Sequence, residues 1–165
     1  MREIKFRALQ KISKNINLKP KMVYGTGIFK DPINTWLYSH DETNPMAAHM
    51  EYHIIDPLTI GQYTGLKDKN GVEIYEGDIM CYTKAGGHNS IGIVKYVNEF
   101  ARWEYWHTTL KQGFPILSDC ANMEVIGNIF EDVLSDLTLI GRMNNGTIHR
   151  TSRPKENPVI SNKRT

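Results

Sequence analysis

The chain has 165 residues, 40% of them hydrophobic, enough for one ordinary domain or two small ones sharing an interface. Its net charge of +2 is unevenly spread: residues 141–165 hold six Lys/Arg and one acid, and the remainder holds fourteen Lys/Arg and seventeen acids. Two cysteines, Cys81 and Cys120, do not make a disulfide scaffold, and no apolar run approaches the roughly 18 residues that suggest a membrane span. The opening MREIKFR alternates charged and apolar residues where a signal peptide needs an apolar core, so a cytoplasmic, reduced protein is expected.

In chain order, Ile4, Phe6 and Ala8 alternate with Lys5 and Arg7, which predicts a half-buried strand with a basic outer face. Residues 11–21 are polar and read as a loop. A short strand at 22–24 is stopped by Gly25-Thr26-Gly27, a Gly-x-Gly without the third glycine and helix of a nucleotide-binding turn. Residues 35–38 predict another strand, with Trp36 a core or interface anchor rather than a ligand platform. Residues 39–50 form a long polar loop. If residues 49–53 are extended, His49, Glu51 and His53 point to one face, and two imidazoles with a carboxylate are a minimal Zn²⁺ or Fe²⁺ set. The spacing is not that of an HExxH site, and a solvated, His-containing loop is the competing reading.

Residues 62–80, QYTGLKDKNGVEIYEGDIM, organise the chain. Asp68-Lys69-Asn70-Gly71 predicts a tight hairpin turn, and Gly77 in Glu76-Gly77-Asp78 a left-handed or bulged corner leading into the next strand. Asp68, Glu73, Glu76 and Asp78 are either turn formers or an exposed acidic rim. Residues 91–97 predict a strand in which Gly92 marks a close backbone approach or bulge. Residues 102–109 place aromatics on both faces, so of Trp103 and Trp106 one is expected inside and the other at a rim. Residues 114–117 predict an edge strand because of Pro115, residues 123–130 a last strand, and residues 133–140 a short helix or turn. These elements predict a mainly β fold: an N-terminal β subdomain over 1–57, a small barrel over 58–140, and a basic, disordered tail over 141–165.

The opening REIKFRAL, the KMVY of residues 21–24, the 62–80 stretch and the EVIGNIFED of residues 124–132 together resemble the YopX family of phage and prophage proteins. The resemblance spans about residues 2–134, with Leu9 and Phe130 standing where the family has an aromatic and a Tyr. It implies a largely β structure with an SH3-like second half, and self-association. It carries over no catalytic residues.

Three functions are open at this level. The first is a non-enzymatic binding protein acting on a host or phage protein, with Trp103, Tyr105, Trp106, Asp68, Glu76 and Asp78 as partner-binding candidates. The second is nucleic-acid binding, with Arg150, Arg153, Lys155, Lys163 and Arg164 meeting phosphates and barrel aromatics stacking bases. The third is an enzyme. No nucleophile elbow or P-loop is present, and only the His49, Glu51 and His53 set sustains it. The expectation is therefore a non-enzymatic protein without cofactor.

Overall fold

The computed structural model describes residues 3–12, 19–40, 50–83, 89–116 and 122–131. Within them the chain forms β1 Phe6–Leu9, β2 Met22–Gly25, β3 Gly27–Lys30, β4 Thr35–His40, β5 Met50–Ile55, β6 Gly61–Lys67, β7 Glu73–Tyr75, β8 Asp78–Thr83, β9 Asn89–Val97, β10 Arg102–His107, β11 Gln112–Pro115 and β12 Met123–Asn128. No helix among the described residues is long and apolar enough to cross a membrane. Antiparallel pairing builds three sheets, ordered β2-β1-β6-β7, β3-β4-β5 and β11-β10-β9-β8-β12. The fold is mainly β, as the strand and turn pattern implies, with an N-terminal β portion followed by a small, SH3-like curled sheet, as the family resemblance implies.

The N-terminal portion is closed by a bent strand and two glycines. β2 pairs with β1 and β3 pairs with β4, and the chain passes from one to the other at Thr26, whose N–H donates to the Tyr38 carbonyl at 2.9 Å. A Cβ on Gly25 would lie 2.2 Å from that carbonyl oxygen, and a Cβ on Gly27 would lie 2.0 Å from the Tyr38 ring. Gly25-Thr26-Gly27 ends β2, as the sequence suggests; it also seats Tyr38 and lets a new strand, β3, start at once in another sheet. β5 returns to β1 through the Gln10–Ile55 bridge and the hydrogen bonds Lys11 N–H to Ile54 O (2.8 Å) and Asp56 N–H to Leu9 O (2.9 Å). The enclosed core is Ala8, Val23, Leu37 and Ile55, with Phe6, Ile28 and Ile60 against it. Burial of Leu37 or Ile55 contributes about 1.5–3 kcal/mol each.

The second portion follows from its turns. At the β6–β7 hairpin only Gly71 of the Asn-Gly pair takes positive φ (79°), and the Asp68 side chain completes the loop by accepting from Asn70 and Val72 N–H groups. Gly77 takes the left-handed conformation expected of it, at φ 82°. Ile74, Met80, Val94 and Tyr105 form the core, packed by Leu66, Trp103, Met123 and Val125. Gly92 is where the sequence expects a close approach, since its Cβ would lie 2.5 Å from the Tyr105 ring. The Tyr105 hydroxyl shares a 2.9 Å hydrogen bond with Ser90, and burial pushes its pKa up to about 12. β11 is an edge strand ending at Pro115.

The two portions meet at residues 75–78. Arg7, expected on an outer basic face, is instead 1% exposed, with its Nη1 2.7 Å from Oδ1 of the fully buried Asp78. Arg7 Nη2 donates to the Glu76 carbonyl at 3.1 Å, and the guanidinium lies 5.0 Å from the Tyr75 ring centroid. The other Asp78 oxygen accepts the Tyr75 N–H at 2.7 Å. The backbone of the same turn bonds β6 through Glu76 N–H to Gln62 O, β9 through Gly77 N–H to Val94 O, and the chain after β12 through Ile129 N–H to Gly77 O.

Removing one partner of a buried ion pair strands the other charge in a low-dielectric site, at a cost of about 3–5 kcal/mol. Asp78→Ala is therefore expected to lose stability of that order in urea unfolding. Arg7→Met with Asp78→Leu should lose clearly less than the sum of the two single changes. Additive losses would mean that the pair is not the junction it is described as.

Candidate functional site

Three of the four acids near Gly77, Asp68, Glu73 and Asp78, are consumed by folding. Asp68 is buried, with Oδ1 on the turn N–H groups and Oδ2 accepting the Val125 N–H at 2.9 Å, which ties the hairpin to β12. Asp78 is buried on Arg7. Glu73 accepts from Lys5 Nζ at 2.7 Å and from the Tyr75 hydroxyl at 2.8 Å. Burial alone would raise the Glu73 carboxyl, but these two donors outweigh it and hold it below its ordinary value. Glu76 is half-buried and uses its backbone in both directions. The exposed acidic rim is thus corrected for Asp68 and Asp78, because each carboxylate is needed to satisfy buried N–H donors or a buried guanidinium.

The aromatic candidates divide between inside and outside. Tyr105 is core, which removes it from any partner surface. Trp103 packs against the same core, and its buried indole Nε1 has no acceptor among the described residues. Trp106 lies on the opposite face of β10, half-buried, with Lys95 Nζ 5.4 Å from its ring. Of the metal set, Glu51 and His53 share a face of β5, with Oε1 and Nε2 3.5 Å apart, whereas His49 lies outside the described residues. Among the described residues no three His, Cys, Asp or Glu side chains gather as a metal site. Arg150, Arg153, Lys155, Lys163 and Arg164, and the whole of 133–165, also lie outside the described residues.

A surface that the sequence reading did not single out stands on β3-β4-β5. The register sets Phe29 opposite Trp36, Trp36 opposite Ile54, Gly27 opposite Tyr38, and Tyr38 opposite Tyr52. Thr35, Leu37 and Ile55, offset by one residue, point into the core, so the aromatic set faces out. Phe29 is 44% exposed and Tyr52 50% exposed. The Phe29 and Trp36 rings are parallel at 5.9 Å, Tyr52 stands at 83° to Phe29 at 6.2 Å, and Tyr38 is 6.4 Å from Tyr52. Met50 completes the face, its sulfur accepting the Tyr52 hydroxyl at 3.1 Å. Gly27, Phe29, Trp36, Tyr38, Met50, Tyr52 and Ile54 include no charged residue.

One hydrogen bond fixes the ring at its centre. Asp31, in the β3–β4 turn, accepts the Trp36 Nε1–H at 2.7 Å and the backbone N–H groups of Ile33 and Asn34 at 2.7 and 2.6 Å. The Asn34 N–H, then the Trp36 indole, then the Ile33 N–H hold the Asp31 carboxyl below its ordinary value. The indicator in the sequence was 35–38 itself: Thr35 and Leu37 suffice for one face, leaving Trp36 and Tyr38 surplus on the other.

The family of YopX proteins matches residues 5–134, which includes every strand described above. The chain belongs to the YopX family. It is also similar to a solved structure, the crystal structure of protein EF1440 from Enterococcus faecalis, at 25% identity and a TM-score of 0.38, covering 79% of this chain and 95% of that one. No curated protein matches the chain. The matched YopX region contains the Arg7–Asp78 junction and the aromatic face, and ends before residues 135–165.

Because the folded pKa of Asp31 is depressed, its bonds to Trp36 and the turn are fully present above the ordinary carboxylate value of 3.8 and are lost as pH falls below it. In an acid titration followed by NMR, the Trp36 indole N–H is expected to hold its position down to about pH 4 and move only below 3.8. Asp31→Ala should abolish that step and speed exchange of the Trp36 indole proton. A Trp36 step centred above pH 4 would contradict the assignment.

Proposed function

We propose that this YopX-family chain is a non-enzymatic, cytoplasmic binding protein of phage origin that acts by protein–protein contact through the outer face of β3-β4-β5. The observation that carries this reading is the uncharged, outward set of Phe29, Trp36, Tyr38, Met50 and Tyr52, in which Phe29, Met50 and Tyr52 are exposed and Trp36 and Tyr38 half-buried. Aromatic residues and Met are what protein interfaces concentrate while charge is depleted at their centre, and Trp and Tyr dominate interface energetics. A single-strand platform instead needs cations to follow the phosphates. Of the acids near Gly77, Asp68, Glu73 and Asp78 are occupied by the fold, which favours binding over catalysis. A host or phage protein and a second copy of the chain are both partners of the kind this face suits, and no cofactor enters the reading.

The test uses Phe29→Ser with Tyr52→Ser, two side chains that are about half exposed. The double variant should melt within a few degrees of wild type. It should lose at least about 2 kcal/mol, roughly 30-fold, in partner affinity or self-association by sedimentation. Unchanged association in a folded double variant would contradict the reading.

A second reading, nucleic-acid binding, is favoured by one observation on the other portion. Arg102 lies 4.6 Å from the exposed Phe100 ring and Lys95 5.4 Å from Trp106, although Glu104 pairs with Arg102 at 2.7 Å on the same strand. Changing Arg150, Arg153, Lys155, Lys163 and Arg164 to Gln together would decide it. If these five meet phosphates, single-strand affinity falls with salt with a log–log slope near about −3.5, and the slope disappears in the variant. No binding by the full chain to labelled DNA or RNA would end this reading.

A further inference from the structure

An unpaired strand edge is a hazard that proteins cover, interrupt or use. The β3-β4-β5 sheet ends on β3, and among the described residues no strand pairs with the other side of β3. The Asp31 N–H donates to the Asn34 carbonyl at 3.0 Å and the Thr26 N–H to the Tyr38 carbonyl at 2.9 Å, at the two ends of the β3–β4 ladder. Antiparallel bonding alternates, so Gly27 and Phe29 bond to β4, whereas Ile28 and Lys30 turn their N–H and C=O groups away from it. Edges elsewhere are closed. By the same alternation β11 turns Gly113 and Pro115 outward, and Pro115 has no N–H to offer. On β12 the Val125 N–H is taken by Asp68 Oδ2 and the Met123 carbonyl by the Lys69 N–H. On β7 the Tyr75 N–H is taken by Asp78 and the Ile74 carbonyl by the Thr64 hydroxyl.

We propose that β3 accepts an additional antiparallel strand, an extended segment of a partner protein bonded to the outward N–H and C=O groups of Ile28 and Lys30. Strand addition of this kind draws affinity from the main chain and specificity from alternate side chains. The proposal rests on the reading of the adjoining aromatic face as the docking surface and names the form its partner takes. The register fixes the partner's chemistry. Opposite Phe29 the two strands exchange no backbone bond, and side chains there approach closest, with Cα atoms about 4.5 Å apart. Phe29 is 44% exposed, so an aromatic or β-branched residue at that position extends the Phe29–Trp36 row. Lys30 is exposed and has no ion pair among the described residues, so an acid fits opposite it. Ile28 packs against the N-terminal core, and an aliphatic residue fits opposite it. Antiparallel direction orders the three as acid, aromatic or β-branched, aliphatic.

A second copy of β3 does not carry this pattern. With Phe29 of one copy against Phe29 of the other, Lys30 faces Ile28. Sliding the strands by two residues in either direction sets Lys30 against Lys30, a repulsive pair, or against Thr26. No such register gives Lys30 an acid, so the edge favours a foreign segment over itself.

The test follows the backbone amides of the full-length, ¹⁵N-labelled chain by NMR while a capped synthetic peptide, Thr-Thr-Glu-Tyr-Val-Thr-Thr, is titrated in. In the free chain the Ile28 and Lys30 amides should exchange rapidly and the Phe29 amide slowly. Saturating peptide should shift the Ile28 and Lys30 signals and slow their exchange at least about tenfold. N-methylation of the peptide's Glu and Val amides, which face the edge, should weaken binding by at least about tenfold. Lys30→Pro removes one outward N–H and should weaken binding more than Lys30→Ala does, in a variant that melts within a few degrees of wild type. Slow exchange of Ile28 and Lys30 in the free chain overturns the proposal, because the chain then covers its own edge. So does protection that grows with protein concentration, which would put a second copy there. Equal binding of the plain and N-methylated peptides overturns it too, as does the absence of any shift at millimolar peptide. The docking reading fails separately: a peptide that does not add to β3 leaves the face free to dock a folded surface, and that reading stands or falls on the association of the Phe29→Ser, Tyr52→Ser variant.

Discussion

A guanidinium in a protein interior is tolerated only where a carboxylate and further acceptors meet it, and Arg7 is such a group. Its partner Asp78 is equally buried, and the pair joins the first strand of the N-terminal sheet to the first strand of the five-stranded one. The turn from Tyr75 to Asp78 supplies the rest: a carbonyl for Arg7, a ring beneath its guanidinium, and backbone bonds to β6, β9 and the segment after β12. Gly61 and Gly77 make this crowding possible. A Cβ at Gly61 would lie 2.5 Å from the Glu76 carbonyl oxygen, and Gly77 has positive φ. β1 also pairs with β6, so the two portions share backbone as well as charge.

This junction bears on function by fixing what is left over. With Asp68, Asp78 and Glu73 occupied by N–H donors, Arg7, Lys5 and Tyr75, these three acids are structural groups. The surplus that the fold does not use is the outer face of β3-β4-β5, where Tyr38 lies on Gly27 and Trp36 is pinned by Asp31. Rings held in this way lose little freedom when a partner covers them, so the ordering cost of association is reduced in advance.

Much of the fold was legible because it rests on short-range rules. Period-two alternation located most strands, and Asp68 to Gly71, Gly77, Gly92 and Pro115 each behave as local backbone chemistry requires. What was not legible depends on distant partners. Sixty-nine residues separate Arg7 from its acceptor Glu76, so a basic residue in an alternating strand read as solvent-facing. β3 was missed because Gly25 and Gly27 look like a stop until Tyr38 is seen to occupy the space above them. Tyr105 read as surface because aromatics on both sides of β10 left two faces open, and the fold buries the one against Ile74, Met80 and Val94. The aromatic face was hidden for the converse reason: Trp and Tyr in a strand look like core, and only the pairing with β3 and β5 shows that Leu37 already fills that role.

The central claim is that the buried pair makes both portions one cooperative body, holding β3-β4-β5 rigid with its aromatic side outward. Native-state hydrogen exchange measures this most directly, because it yields an opening free energy for each amide. The account predicts that the slowest amides of β4 and of β9–β10 open with the same free energy. It also predicts that both fall together in Asp78→Ala. If β4 amides exchange orders of magnitude faster than those of β9–β10 in the wild-type chain, the N-terminal sheet opens on its own and the account is contradicted.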